Sequence, residues 1–218
     1  MCGILFVSSK NEIDKRKFEK GLNKLIHRGP DNLNYNRFNN SKVFVGHTRL
    51  KIIDLDDRSN QPFHCENERY FIVFNGEIYN YKQLTKELNL TCKTSSDTEV
   101  LLKTFLNYGK NFLQYVDGIY AGIIFDKKEN KFFVFRDLHG VKPLLYYKDN
   151  DQIIFASELK AIKEIKNLKK NNDRLNNFKI TKNKKNYINK PFFDKINFFP
   201  KNTISIFNEI EEVESSKI

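Results

Sequence analysis

The second residue of this chain is a cysteine, in the run Met1-Cys2-Gly3-Ile4. A starter Met is removed when a small residue follows it, so the sequence predicts a mature residue carrying both a thiol and a free α-amine. An α-amine titrates near ~8, far below a lysine amine, and serves as a base close to neutral pH. A thiol with a base on its own residue is an activated nucleophile of the N-terminal type. Such a nucleophile works only where the start of the polypeptide faces a pocket. Cys2 alone is equally compatible with a buried cysteine that happens to stand second. The rest of the chain decides between the two.

With 218 residues, 39% of them hydrophobic and including 20 Phe and 10 Tyr, the chain is sized for one sizeable core rather than for disorder. No charged leader precedes an apolar stretch, and no run approaches a membrane span. Cys2, Cys65 and Cys92 are widely spaced, and His27, His47, His64 and His139 lack metal spacing. Neither disulfides nor a metal site is expected, and a cytoplasmic, reducing setting fits best. The net charge of +11 invites a nucleic-acid partner, but residues 160 to 190 hold eleven Lys and Arg against Glu164 and Asp173. The excess is thus confined to one solvated segment. Thirty lysines against eight arginines also argue against phosphate or base recognition, where the guanidinium is favoured. Neither nucleic acid nor a membrane is expected as a partner.

Phe18, Leu22, Leu25 and Ile26 lie on one helical face, so residues 14 to 26 read as an amphipathic helix that ends at the turn Arg28-Gly29-Pro30-Asp31. Short strand pieces are expected at Val43 to Val45 and at Ile52-Ile53. A buried strand over Tyr70 to Phe74 is expected to stop at Asn75-Gly76. Capping boxes are read at Asn80 with Gln83 and at Ser96 with Glu99. Hairpins follow at 119–136 and at Leu144 to Phe155, and then a short helix capped by Ser157 through Ile165. Residues 166–190 read as a polar insertion or linker, 191–210 as closing strands, and 211–218 as a tail. Helices early and hairpins late point to an α+β domain with largely antiparallel sheets.

Eight segments carry a resemblance. Cys2-Gly3-Ile4, His27-Arg28-Gly29-Pro30-Asp31, Gly46-His47-Thr48-Arg49-Leu50, Phe74-Asn75-Gly76-Glu77-Ile78-Tyr79-Asn80 and Ser96-Asp97-Thr98-Glu99-Val100 are followed by Arg136-Asp137, Gly140-Val141-Lys142-Pro143-Leu144 and Phe155-Ala156-Ser157-Glu158-Leu159-Lys160. In this order they resemble the class II glutamine amidotransferase domain, and most closely the glutaminase half of asparagine synthetase. The resemblance is strong over 1–165 and thin beyond. It implies a four-layer αββα sandwich of two antiparallel sheets, the N-terminal nucleophile hydrolase fold, with L-glutamine as substrate.

The chemistry agrees with what the resemblance implies. Cys2 sulfur attacks the side-chain amide, forms a γ-glutamyl thioester and releases ammonia, with the Cys2 α-amine shuttling protons. Asn75 through its side chain and Gly76 through its N–H are the oxyanion donors. Arg49 takes the substrate carboxylate, because a guanidinium grips it with two parallel hydrogen bonds. Leu50, Lys51, Ile52 and Ile53 form a pocket wall, while Glu77 and Asp97 receive the ammonium end. Arg28 and Asp31 pin a neighbouring loop, and Arg136-Asp137 is a buried structural pair. Each has an ordinary alternative: Asn75-Gly76 is a frequent turn signal, and Asp97 complements a helix N-terminus.

Three positions depart from the family pattern: Leu5-Phe6 after the nucleophile, Leu138-His139, and Pro200-Lys201. No Gly-rich pyrophosphate loop or P-loop occurs, so no cofactor is expected in this domain. ATP and Mg belong to a synthetase (ATP-pyrophosphatase) domain or subunit, a possible partner. Three functions stay open at this point: a glutaminase supplying ammonia for asparagine synthesis from aspartate, a glutaminase for another acceptor, and a non-catalytic glutamine-binding or regulatory module.

Overall fold

The start of the chain is built into the middle of a sheet. The computed structural model describes residues 1–168 and 195–218. Gly3–Ser9 (β1) pairs antiparallel with Val43–Arg49 (β3) on one side and Gln152–Ala156 (β9) on the other. Asn32–Phe38 (β2) forms one edge beside β3, while Leu145–Lys148 (β8) and Ile196–Phe198 (β10) continue beyond β9. A second six-stranded sheet runs from Phe63–His64 (β4) through Tyr70–Ile78 (β5), Gly118–Asp126 (β6), Lys131–Arg136 (β7) and Thr203–Asn208 (β11) to Glu211–Lys217 (β12). All pairings in both sheets are antiparallel.

Side-chain alternation assigns the layers. Ile4 and Phe6 of β1 face the second sheet and join Val73, Ile123, Phe125, Phe132 and Phe155 in a core between the sheets. Leu5 and Val7 face outward onto Lys15–Asn23 (α1) and Leu159–Ile165 (α4), through Phe18, Leu22 and Ile162. Ile72 and Phe74 point the other way, onto Tyr81–Glu87 (α2) and Asp97–Tyr108 (α3). A strand buried on both faces reads as a continuous apolar run, as in Gly3-Ile4-Leu5-Phe6-Val7. The result is an α+β, αββα four-layer sandwich. Leu5-Phe6 are packing residues: the Phe6 ring lies 4.7 Å from Phe132 and 6.3 Å from both Phe125 and Phe155. Burying a ring of this kind contributes roughly 2–3 kcal/mol.

Several local expectations are overridden by tertiary contacts. β3 runs through Gly46-His47-Thr48-Arg49 as one strand, and Ile52-Ile53 lie in a bend outside any strand. A Cβ on Gly46 would stand 2.9 Å from the Phe18 ring, so that glycine admits α1 onto the sheet. β5 continues through Asn75-Gly76 to Ile78, because β6 pairs with it along the whole length, Asn75 opposite Ala121 and Gly76 opposite Tyr120. The edge strand β2 escaped notice because its Asn-rich sequence has no apolar run.

The caps were also misassigned in part. Ser96 caps α3, accepting from the Thr98 N–H at 3.1 Å, but Glu99 reaches back to Lys93 and Thr94 instead of closing a box. The Asn80 side chain bonds Tyr115 O and Asp117 N, and the Ser157 hydroxyl accepts from the Ile4 N–H at 2.9 Å. Residues 211–218, read as a tail, form the exposed outer strand β12, whose Glu211, Glu212 and Glu214 suit an unpaired sheet edge. The Lys/Asn-rich segment falls largely outside the described residues. Among the described residues no helix is long and apolar enough to cross a membrane.

Candidate active site

The site lies where the inter-sheet core runs out. Counting by twos from Phe6 and Ile4 brings Cys2 to the same inner face of the first sheet. His47 stands opposite Ile4 in β3, and Arg49 follows two residues later. From the second sheet, Asn75 continues the inward series begun by Val73. Between these groups is a cavity of ≈ 100 Å³ lined by Cys2, Arg49, Leu50, Ile52, Ile53, Asn75, Gly76, Glu77 and Asp97. Nine of the ten expected site residues therefore meet at one place. The exception is Lys51, whose N–H bonds Asp31 and whose amine bonds Asp57 at 2.7 Å, turning it away from the wall. Ile52 is 71% exposed and forms a lip rather than a wall. A larger groove of ≈ 1200 Å³ lies elsewhere and holds none of these residues.

Cys2 sulfur accepts from the Leu50 N–H at 3.4 Å, which ties the side chain to the segment after β3. Burial pushes the thiol up. The Leu50 N–H, the positive chain end at Met1 and the Arg49 guanidinium pull it back, and Asp97 adds to the rise. With Met1 attached the Cys2 nitrogen is an amide and supplies no base. The Cys2 carbonyl is held by Arg28 Nε at 2.8 Å, and Arg28 Nη1 in turn bonds Glu158 Oε1 at 2.8 Å. Burial alone would raise the Glu158 carboxyl, but hydrogen bonds from Arg28, Lys160 and His27 outweigh it and hold it down at about 2. Gly29 lets this loop lie on β3, where a Cβ would meet Thr48 O at 2.4 Å.

Arg49 is 6% exposed, and its guanidinium bonds Asp56 O and Asn60 Oδ1 at 2.8 Å each, and Asp54 O. All three acceptors are neutral, so none of the hydrogen bonds made by this buried cation goes to a carboxylate, although its charge helps hold the Asp54 carboxyl down. Asp97, the first residue of α3, receives the Ile78 N–H at 3.0 Å. Burial pushes its carboxyl up to about 6, against hydrogen bonds from Ile78 and Thr98 and with Glu77 adding to the rise. Glu77 itself is exposed at the rim.

Asn75 is 1% exposed, and its Nδ2 is buried without a hydrogen-bond partner among the described residues. Unpaired buried donors are rare because they cost about 1–3 kcal/mol. Gly76 is explained by packing as well as by chemistry, since a Cβ there would stand 2.4 Å from Ile119 O. Its backbone polar groups follow the alternation of an antiparallel strand. Phe74 and Ile78, two residues either side, give their N–H groups to Gln61 Oε1 at 2.6 Å and Asp97 Oδ2 at 3.0 Å, away from β6. The Gly76 N–H faces the same way, and no described group accepts from it.

Sequence reasoning missed Gln61, and it gave His47 no place in the site. Both act over sequence distances at which no local pattern speaks. Arg136 and Asp137 are buried, but each binds backbone rather than the other. Arg136 holds Lys142 O, Phe199 O and Gly140 O, and Asp137 collects the N–H groups of Tyr120, His139, Val141 and Lys142. Together they shape the 137–142 loop, which brings Lys142 to the cavity. Among the described residues no cluster of three or more His, Cys, Asp or Glu could hold a metal.

Known proteins resemble this chain in both sequence and fold. It is 39% identical over 189 residues to the putative asparagine synthetase (glutamine-hydrolyzing) 2 of Methanocaldococcus jannaschii, a match covering 78% of this chain and 36% of that protein. It is 41% identical over 170 residues to asparagine synthetase (glutamine-hydrolyzing) 1 of Bacillus subtilis, covering 74% of this chain and 26% of that one. The chain thus spans roughly a quarter to a third of the length of these relatives. The fold of glutamine phosphoribosylpyrophosphate amidotransferase from B. subtilis, complexed with ADP and GMP, superposes with a TM-score of 0.74 at 20% identity. That match covers 99% of this chain and 49% of the other. The model of the glutamine amidotransferase domain matches residues 1–216, and the chain belongs to that family.

Proposed function

We propose that this domain hydrolyses the side-chain amide of L-glutamine to glutamate and ammonia, with Cys2 as nucleophile. The observation that carries the proposal is the unpaired, buried Asn75 Nδ2 on the same cavity as the Cys2 sulfur. A donor kept without a partner in a folded protein is accounted for by a ligand oxygen that arrives later. Cys2 sulfur adds to the amide carbon while its proton passes by way of the Cys2 α-amine to the leaving nitrogen. The developing oxyanion is received by Asn75 Nδ2 and the Gly76 N–H. Collapse releases ammonia and leaves a γ-glutamyl thioester, which water cleaves to glutamate and the free thiol.

At the other end of the substrate, Arg49 attracts the α-carboxylate and Asp97, with Glu77 at the rim, the α-ammonium. Leu50, Ile52 and Ile53 close over the aliphatic part. The relatives are named as asparagine synthetases, which supports delivery of the ammonia to aspartate in an ATP- and Mg-using synthetase domain or subunit. Three cysteines left unpaired suit a cytoplasmic setting.

The test is mass spectrometry of the purified N-terminus together with a glutaminase assay and labelling by a glutamine-like electrophile. Loss of Met1, one label on Cys2 and glutamate formation are expected. An unprocessed, unlabelled chain that still binds glutamine identifies a binding module instead.

Asp97 gives this site a pH dependence. Its folded pKa of about 6 lies above the unfolded carboxyl value of 3.8, so the stability it contributes is greatest below 3.8 and is lost as pH rises through about 6. Substrate capture runs the opposite way, because only the ionised carboxylate attracts an ammonium. KM for glutamine should rise as pH falls through about 6, and Asp97→Asn should show a high KM without that rise. A wild-type KM that stays flat from pH 8 to 5 removes Asp97 from ammonium binding.

A further inference from the structure

We propose that His47 and Gln61 are positioning residues which stand in for a missing neighbour strand along β5, and so hold the Gly76 N–H open and correctly aimed. The inference rests on the glutaminase reading of the site and adds to it how the oxyanion donors are kept in place. β5 is flanked on one side by β6 along its full length, Tyr70 to Ile78. On the other side β4 pairs with Phe71 and Ile72 and then ends. From Phe74 onward the outer edge of β5 has no strand beside it, yet Phe74, Asn75 and Ile78 are buried, with Gly76 half-buried and Glu77 exposed. Buried backbone groups on such an edge need partners.

Side chains supply those partners one by one. The Phe74 N–H goes to Gln61 Oε1 at 2.6 Å, and Gln61 is itself anchored by Nε2 on Thr98 Oγ1 at 3.3 Å. The Phe74 carbonyl receives His47 Nε2 at 3.0 Å. The Ile78 N–H goes to Asp97. Gly76 lies midway on this edge and is left open. A continuous strand would have filled every position; individual side chains fill the neighbours and leave one gap.

His47 has a further role, because it crosses between the sheets. Cys2 and Arg49 belong to the first sheet and Asn75-Gly76 to the second, so the site is complete only when the two are in register. The imidazole is 0% exposed. Burial pushes its pKa down to about 3, with the Phe74 carbonyl opposing and Arg49 assisting. It is therefore neutral at working pH. Because a carbonyl only accepts, the single ring proton sits on Nε2, while Nδ1 is buried without a partner. Gln61 was unremarkable in sequence, and His47 stood out there only for lacking metal spacing. Their shared contact with Phe74 is what distinguishes them.

The test compares variants that lose the hydrogen bond with variants that keep it. His47→Leu and Gln61→Leu lose it; His47→Gln keeps an amide donor, and Gln61→Glu keeps an acceptor. The expected result is a fall in kcat of about 10²-fold for the leucine variants, the usual effect of a misplaced catalytic group, with KM little changed. The rate of Cys2 alkylation by iodoacetamide, followed on the Cys2 peptide, should stay at the wild-type value, since the hydrogen bonds removed end on Phe74 in the second sheet while the Cys2 sulfur is held by the Leu50 N–H. The conservative variants should recover most of the lost kcat. Loss of kcat, alkylation and folded signal together in all four variants would assign both residues to bulk stability and overturn the proposal.

Amide hydrogen exchange provides an arm independent of turnover. In the wild-type chain the Gly76 amide should exchange faster than those of Phe74 and Ile78, and Gln61→Leu should deprotect Phe74. Equal protection at all three positions overturns the inference whether or not the chain hydrolyses glutamine. A wild-type chain without glutaminase activity but with this exchange pattern would defeat the glutaminase reading alone.

Discussion

Replacing Cys2 with alanine is expected to abolish glutamine hydrolysis while leaving glutamine binding nearly unchanged. No other cysteine lines the cavity, so no second thiol substitutes for it. Loss of an essential nucleophile in a comparable acyl-transfer site lowers kcat by roughly 10⁶-fold. Binding should survive because the groups proposed to hold the substrate ends, Arg49 and Asp97, are fixed independently of the sulfur. Arg49 is clamped by the carbonyls of Asp54 and Asp56 and by Asn60, and Asp97 by its place at the start of α3. The hydrogen bond from the Leu50 N–H to sulfur at 3.4 Å is lost in the variant, and a water in the vacated space takes it over. Calorimetric titration of Cys2→Ala with glutamine, beside an ammonia-release assay, checks both halves. Turnover near the wild-type rate would end the assignment of Cys2. Loss of binding along with turnover would show that the sulfur organises the pocket rather than only reacting in it.

How much of this was legible beforehand depended on how local the deciding interactions are. The hairpins β6–β7 and β8–β9 and the helices α1 and α3 carry their own signals in turn residues, caps and apolar spacing, and they formed where those signals stand. The candidate site could be read because its expected members lie in short segments that recur together in one family, and all of those members but Lys51 line one cavity. What failed was whatever is decided across the sandwich. Asn75-Gly76 is a good turn locally, but pairing with Ala121 and Tyr120 keeps it extended. Asn80 and Ser157 are good caps locally, but more distant backbone groups claim their side chains. β12 has the composition of a solvated tail and is a strand because β11 offers it an edge. Lys51 sits in the right segment, and Asp31 and Asp57 turn it away. Gln61 is 13 residues from its partner in β5 and His47 is 27. No window of local sequence contains both ends of either bond.

Asn75→Ala is expected to show that the proposed oxyanion donor contributes nothing to stability. Most buried polar groups are satisfied, so removing one leaves its partner orphaned and destabilises the protein. Here the wild-type Nδ2 is already the orphan, and no described group loses a bond when it goes. Deleting it relieves a desolvation cost of about 1–3 kcal/mol. The lost side-chain volume acts in the other direction, but it opens onto an existing cavity instead of creating a closed void. The variant should therefore unfold at or slightly above the wild-type temperature. Its kcat should nonetheless fall by about 10²–10³-fold, the effect of removing one oxyanion donor, with KM little altered because the donor meets the reacting oxygen most strongly after attack. Thermal unfolding and steady-state kinetics on the same preparation decide the point. A variant that loses several degrees of melting temperature along with its activity would mean that Asn75 Nδ2 has a structural partner and is not held in reserve for the substrate.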